Sequence, residues 1–199
     1  MRKLLIATAN PAKKAMFQEL LNESDVILIT LDDYPNIIPP EENGHTVKEN
    51  AYIKAAYYSE KTWLPALSDD AGLCIPSLNN EPGVMARRWG WVLPDTVSDE
   101  DWMKHFQDIT QDILEDPLRA ILPFARCLYL PDGRCFFQEE EICVHLSKTP
   151  RTWWKPWWPM SAFCIYPDGR HQLDVPENDP IQQTFLYKDG LVNLLQHLS

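Results

Sequence analysis

The stretch Ala66-Leu67-Ser68-Asp69-Asp70-Ala71-Gly72-Leu73 constrains this chain more than any other, because a short apolar run ends in two adjacent acids and then a small-residue turn. The pattern predicts a strand that delivers carboxylates to its own C-terminal edge. In an open α/β sheet the crevice beyond the carboxyl ends of the strands is where ligands bind, so acids placed there are available to a metal or a substrate. Side chains alternate along a strand, so the two acids point to opposite sides and one of them enters the crevice. Taken alone, Asp-Asp-Ala-Gly reads equally as a polar turn. The residues upstream decide between the two.

Residues 3–8 read as a buried first strand, and residues 12–21 as a helix with Met16, Phe17, Leu20 and Leu21 on one face. The turn between them, Thr8-Ala9-Asn10-Pro11-Ala12-Lys13, carries a proline suited to a first helical turn. A strand entering a helix this way leaves backbone N–H groups free at the positive end of the helix dipole, a seat for phosphate, and Lys13 adds a full charge there. The turn lacks Gly-x-x-x-x-Gly-Lys, and an ordinary βα turn with a solvated lysine fits the same residues. Thr46 and Glu49 form a capping box that starts a helix at Val47, with Val47, Ala51, Ala55 and Tyr58 facing inward. Lys54 falls beside that stripe. Either its stem lies over the apolar face while its charge reaches water, or it leans into the crevice and meets an anion. Glu41, on the loop before the helix, either swings a carboxylate over the crevice or belongs to a solvated acidic loop. Arg87 and Arg88, beside the Pro82-Gly83 turn, either clamp a phosphate or serve as surface charge.

Further along, residues 26–30 and 73–78 read as strands, and Ser98 with Asp101 caps a helix whose inner stripe is Trp102, Phe106, Ile109 and Ile113, ended by Pro117. Residues 124–130 and 134–146 flank Pro131-Asp132-Gly133 as a β-hairpin. A second Pro-Asp-Gly, at 167–169, follows the apolar run 163–166. Between these turns, Trp153-Trp154-Lys155-Pro156-Trp157-Trp158-Pro159 is barred from regular helix by its prolines, and its indoles call for a cover: a nucleobase, a dimer partner or the core. Leu191, Leu194, Leu195 and Leu198 form a last helical stripe. A chain of 199 residues fits a single domain, bilobed or not. Five cysteines without Cys-x-x-Cys read as buried reduced thiols. The formal charge of −11 opposes broad binding to nucleic acid or anionic membrane. With no apolar run long enough to span a bilayer and no signal-peptide pattern, the expected location is cytoplasmic.

The segments LLIATANPAK, EENGHTVKENAYIKAA, LPALSDDAGL and EPGVMARRWG, in that order and spacing, resemble the inosine triphosphate pyrophosphatase family. Those enzymes hydrolyse deaminated purine nucleoside triphosphates (ITP, dITP, XTP) to the monophosphate and pyrophosphate. The resemblance implies an α/β fold: an elongated mixed β-sheet with flanking helices, two lobes around a central cleft, in one domain over residues 1–199. It also implies Mg2+ and a homodimer. It places Thr8, Asn10 and Lys13 in the triphosphate-binding turn and makes Lys54 a further phosphate contact. Glu41 and Asp70 match the Mg2+ ligands, with Asp70 also the proton acceptor, a role that Asp69 or the metal itself would otherwise take. Ala71 touches substrate through its backbone, and Arg88 falls on the arginine of the family's Ser-Ala-Arg stretch. The second half departs from the family. Its Gly-Phe-Gly-Tyr-Asp-Pro segment is replaced by residues 157–163, which puts Trp158 and Ser161 in the base pocket. Its Ser-His-Arg is absent, with Phe185-Leu186-Tyr187-Lys188 in that neighbourhood. A His-Arg pair donates to the oxygen that marks a deaminated purine, so its loss leaves base preference open. The expected activity is Mg2+-dependent release of pyrophosphate from a small-molecule nucleoside triphosphate; the alternative is a nucleotide-binding protein that has lost catalysis and uses its tryptophan loop as a partner surface.

Overall fold

The computed structural model describes residues 2–177, 179–182 and 188–198. In chain order the first elements are β1 (Arg2–Ile6), α1 (Pro11–Leu20), β2 (Val26–Thr30), α2 (Val47–Thr62), β3 (Ala66–Ala71), β4 (Leu73–Ile75) and β5 (Glu81–Gly83). They are followed by α3 (Asp99–Thr110), β6 (Leu118–Tyr129), β7 (Cys135–Leu146), β8 (Cys164–Ile165) and α4 (Lys188–Leu195). The chain divides into two compact units. The first holds the described residues up to 70, with 124–140 and those from 188; the second holds 71–123 and the described residues from 141 to 182. The long strands β6 and β7 pair with each other and give a half to each unit.

In the first unit β1 lies parallel to β2, with Leu4 opposite Leu28, and parallel to β3, with Leu5 opposite Ala66. The order β2-β1-β3-β6 puts β3 inside the sheet. Its burial is therefore nearly complete, acids included. Helix α2 closes on the sheet through small residues: Ala51, Ala55 and Ala56 pack with Ala125, Cys127 and Tyr129, and Tyr58 joins Leu5, Ala7 and Ala66. Alanine lets a helix approach closely, and the Ser68 hydroxyl donates across the gap to the Ala51 carbonyl. The helix starts at the expected capping box, Thr46 accepting from Glu49 N at 3.1 Å while Glu49 accepts from Thr46 N at 3.2 Å.

In the second unit β4 runs antiparallel to β5 and to β6, and β7 antiparallel to β8, so the sheet is mixed and the fold is α/β. Its core centres on Phe106, stacked on Trp102 at 6.0 Å between ring centroids and set against Phe163 at 4.6 Å. Both Pro-Asp-Gly turns form, closed by Gly133 N to Leu130 O and Gly169 N to Tyr166 O. Several boundaries move. Helix α3 stops at Thr110, short of Pro117, because the Thr110 hydroxyl turns back to the Phe106 carbonyl and Lys148 binds the Ile113 carbonyl at 2.6 Å. Strand β4 ends at Ile75, where Pro76 opens a 3-10 turn. Strand β6 begins at Leu118 and runs through Pro123, whose carbonyl accepts from Gly72 N. All five cysteines are free; Cys127 and Cys164 are buried as expected, but Cys135 and Cys143 are exposed. No helix among the described residues is long and apolar enough to cross a membrane.

Removing the N-cap of α2 leaves one backbone donor at its first turn unsatisfied. Thr46→Ala is expected to cost about 1 kcal/mol of unfolding free energy in a urea titration.

Candidate active site

Strand β3 carries Asp69 and Asp70 at its fourth and fifth positions, inside the strand and not beyond it. Alternation along the strand gives each acid its own lysine. Lys13 from α1 reaches Asp69 Oδ2 at 3.1 Å and the Asp69 carbonyl at 3.4 Å. Lys54 from α2 reaches Asp70 Oδ1 at 3.0 Å and Glu42 Oε2 at 2.8 Å. The four side chains of the two lysine–aspartate pairs are each 14% exposed or less. Of the two readings of Lys54, the second holds: the ammonium points inward. Burial pulls its proton affinity down, but the combined attraction of Asp70, Glu42 and Asp69 more than reverses this and lifts its pKa above the ordinary lysine value. For Asp70, burial dominates and raises the pKa, with Lys54 and Lys13 opposing the shift and Glu42 adding to it.

Two neighbours complete the Asp70 environment. Asn50, one helical turn before Lys54, donates to Asp70 Oδ2 at 3.3 Å and accepts from Gly44 N at 2.8 Å. A Cβ on Gly44 would stand 2.6 Å from Asn50 Oδ1, so the loop needs glycine to come this close. Arg126, buried in β6, donates to Gln138 Oε1 at 3.1 Å and lies over the rings of Phe17 and Phe124. Burial pushes its pKa down, and the charges of Asp69 and Glu140 pull it back. Asp69 Oδ1 is buried with no hydrogen-bond partner among the described residues.

The turn before α1 forms as expected, but its donors are already engaged. Asn10 N donates to Thr8 Oγ1, and Asn10 Oδ1 accepts from Ala12 N at 2.8 Å and Lys13 N at 3.3 Å. Pro11 has no N–H, so the free backbone seat for phosphate is closed by the Asn10 cap, and Lys13 supplies the available charge. Glu41 is exposed and makes no ion pair among the described residues; its neighbour Glu42 holds Lys54 instead. Ala71 ends β3, half-buried.

The remaining candidates lie in the second unit. Arg87 donates through Nη1 to Asp99 at 2.6 Å and through Nη2 to the Val97 carbonyl, so both terminal nitrogens help hold the chain together. Arg88 binds Asp95 through Nε at 3.0 Å and lies over Trp91 at 4.0 Å. Asp99 also accepts from Trp154 Nε1 at 3.2 Å and Trp157 N at 2.8 Å, fixing the tryptophan loop. In that loop Trp154 packs on the core, whereas Trp153 and Trp157 are more than half exposed. Ser161, expected in a base pocket, is fully buried, and its hydroxyl accepts from Lys155 N at 2.9 Å; the loop uses it as an internal pin. Trp158 is half-buried, its indole N–H enclosed without a partner among the described residues. Residues 185–187, where the family's Ser-His-Arg was sought, lie outside the described residues.

Glu42, Asn50, Arg126, Asp95 and Asp99 were not singled out from sequence. Only Asn50 left a signal, its i, i+4 spacing with Lys54 on a helix already identified. Breaking a buried pair by removing one partner leaves an uncompensated charge. Lys54→Met is expected to destabilise the protein by about 3 kcal/mol in urea unfolding, well above the effect of Lys48→Met on the exposed Lys48–Glu139 pair.

Comparison with known proteins places the chain in a family. The model of the Ham1 family matches residues 4–146, ending before the tryptophan loop. A dITP/XTP pyrophosphatase of Thermus thermophilus is 34% identical over 75% of this chain and 70% of its own length, and one of Streptomyces coelicolor 36% identical over 67% and 66%. The aligned part thus spans about two thirds of the length of these relatives. Among solved structures, a HAM1 protein from Coxiella burnetii superposes with a TM-score of 0.77 at 24% identity, covering 96% of this chain and 98% of that one. A nucleoside-triphosphatase, also titled dITP/XTP pyrophosphatase, from Mycobacterium abscessus gives 0.69 at 26% identity over 96% of both chains. With its family model matched over residues 4–146, more than half of its length, this chain belongs to the Ham1 family.

Proposed function

We propose that this protein hydrolyses a deaminated purine nucleoside triphosphate, ITP, dITP or XTP, to the monophosphate and pyrophosphate. The observation that carries this reading is the convergence of Lys13 and Lys54, from two different helices, on adjacent carboxylates of one buried strand. The curated relatives named dITP/XTP pyrophosphatase support the substrate class.

The donor set suits Mg2+. That ion uses one or two carboxylates and keeps its remaining positions for water and phosphate oxygens, so it needs no dedicated cage of three acids, and none occurs among the described residues. Asp69 Oδ1 is buried with no hydrogen-bond partner among the described residues, an oxygen with coordinating capacity left over from the Lys13 pair. Asp70 would hold the ion together with Glu41, the loop acid that no lysine occupies. Such an ion would supply neutralisation of the charge on the phosphates.

The chain's own residues then divide the work. Lys13 and Lys54 bind phosphate oxygens in a site dry enough for each charge to count. Asp70, its pKa raised by burial, is the base: it takes the proton of the attacking water as the water oxygen bonds to the α-phosphorus. The bond from that phosphorus to the bridging oxygen breaks, and pyrophosphate leaves on the side opposite the attack. Asn50 keeps the Asp70 carboxylate in register through its amide donor. In keeping with the family resemblance, the working form proposed is a homodimer.

A panel of ordinary, deaminated and oxidised nucleoside triphosphates with Mg2+, scored by pyrophosphate formed, tests the activity. Turnover of the deaminated purines is expected, and binding without turnover would support the lapsed-enzyme alternative. Asp70→Asn should lower kcat more than a hundredfold. Glu41→Gln should raise the Mg2+ concentration at half-maximal activity more than Glu42→Gln does, since Glu42 is engaged with Lys54.

A further inference from the structure

The geometry points to Trp91 and Asp95 as positioning residues that pre-set the Arg88 guanidinium for an anionic ligand, an inference that rests on the pyrophosphatase reading for the identity of that ligand. Adjacent arginines in this chain have opposite fates. Arg87 donates one bond from each of its terminal nitrogens, to Asp99 and to the Val97 carbonyl. Arg88 spends only its Nε on a carboxylate, Asp95 at 3.0 Å, and one Nη2 hydrogen on the weak acceptor Met85 Sδ at 3.5 Å. A guanidinium has five N–H donors, so the Nη1/Nη2 edge, the edge that grips a phosphate or carboxylate in two parallel bonds, has no strong acceptor among the described residues. The side chain is only 19% exposed, so that edge is held in place without being used internally.

What holds it is local and strained. Trp91 stacks on the guanidinium at 4.0 Å although its own indole is 66% exposed, an unfavourable position for so large an apolar group unless the cation repays it. Trp89, Gly90 and Trp91 have φ of +46°, +62° and +77°, three successive residues in the left-handed region. Two of them are tryptophans, for which that conformation carries a steric cost. The buried Trp89 anchors the segment on Trp102 and His105, and backbone bonds from Gly90 N to Met85 O and from Leu93 N to Arg88 O close the loop around Arg88. Such strain persists only where the surroundings enforce it. Here its product is one face and one edge of a guanidinium fixed, and the ligand-gripping edge left open.

Trp91→Ala, Trp91→Phe, Asp95→Asn and Arg87→Gln test this with two readouts: KM and kcat for ITP with Mg2+, and calorimetric binding of the non-cleavable α,β-imido analogue. Trp91→Ala is expected to raise KM and the analogue Kd by about three- to tenfold, with kcat within about twofold; Asp95→Asn should act in the same direction, and Trp91→Phe should restore most of the loss. Arg87→Gln should lower the melting temperature and leave KM near wild type. Unchanged KM and Kd in Trp91→Ala, or a Trp91→Phe no better than alanine, would overturn the inference while pyrophosphate release by the wild type upheld the function. Wild-type binding of the analogue without turnover would overturn the function and leave the Kd series to judge Trp91 and Asp95. A wild type that binds no nucleotide would overturn both.

Discussion

Charge placed where water is scarce governs the first unit. Lys13, Lys54, Asp69 and Asp70 are all nearly buried, and no one of them would be stable there alone. They are tolerable because each is the other's counter-ion, and Asn50 and Glu42 absorb the remaining hydrogen-bonding capacity around Asp70 and Lys54. An apolar quartet of similar volume would hold the strand and helices at least as well. The ionic arrangement therefore makes sense as a store of separable charges: a ligand bringing its own cations and anions exchanges partners with the protein without leaving a charge stranded.

The fold sets up this store by simple means. A parallel β1–β3 pair places the strand that bears the acids in the sheet interior, flanked by helices on which Lys13 and Lys54 sit near the start and the middle. Alanines on α2 bring its backbone close enough for Ser68 to reach the Ala51 carbonyl, and this closeness lets a lysine on that helix meet a carboxylate on the strand. The second unit is built differently, around stacked aromatics. There the charged side chains of interest, Arg87, Arg88 and Asp99, are tied to tryptophans, and Asp95 to Arg88.

Local signals made much of this legible in advance. The Thr46–Glu49 box, Pro11 after Asn10 and both Pro-Asp-Gly turns are decided by residues close in sequence, and each forms where the pattern puts it; the apolar run into Asp69 also forms a strand, but one that continues through both acids. What escaped depends on partners distant in the chain. The choice of Glu42 over Glu41 for Lys54 is made by the path of a loop, and the end of α3 by a lysine 38 residues beyond Thr110 in the numbering, Lys148. The Asn10 cap was a near miss: the residue was noted, but its amide closes the very N–H groups that were expected to stay open. Arg87 and Arg88 were indistinguishable as letters, and only their acceptors separate them.

The absence of a side chain at Gly44 carries weight beyond its own turn. Because its N–H donates to the amide that also touches Asp70, the acidic loop and the strand are joined through a single asparagine with no slack between them. A methyl group there would press on the Asn50 amide and, through it, on a carboxylate 26 positions away in sequence. Glu41, exposed on the same loop and without an ion pair among the described residues, can shift without pulling on Asp70, whereas a shift at Gly44 is passed to it through Asn50.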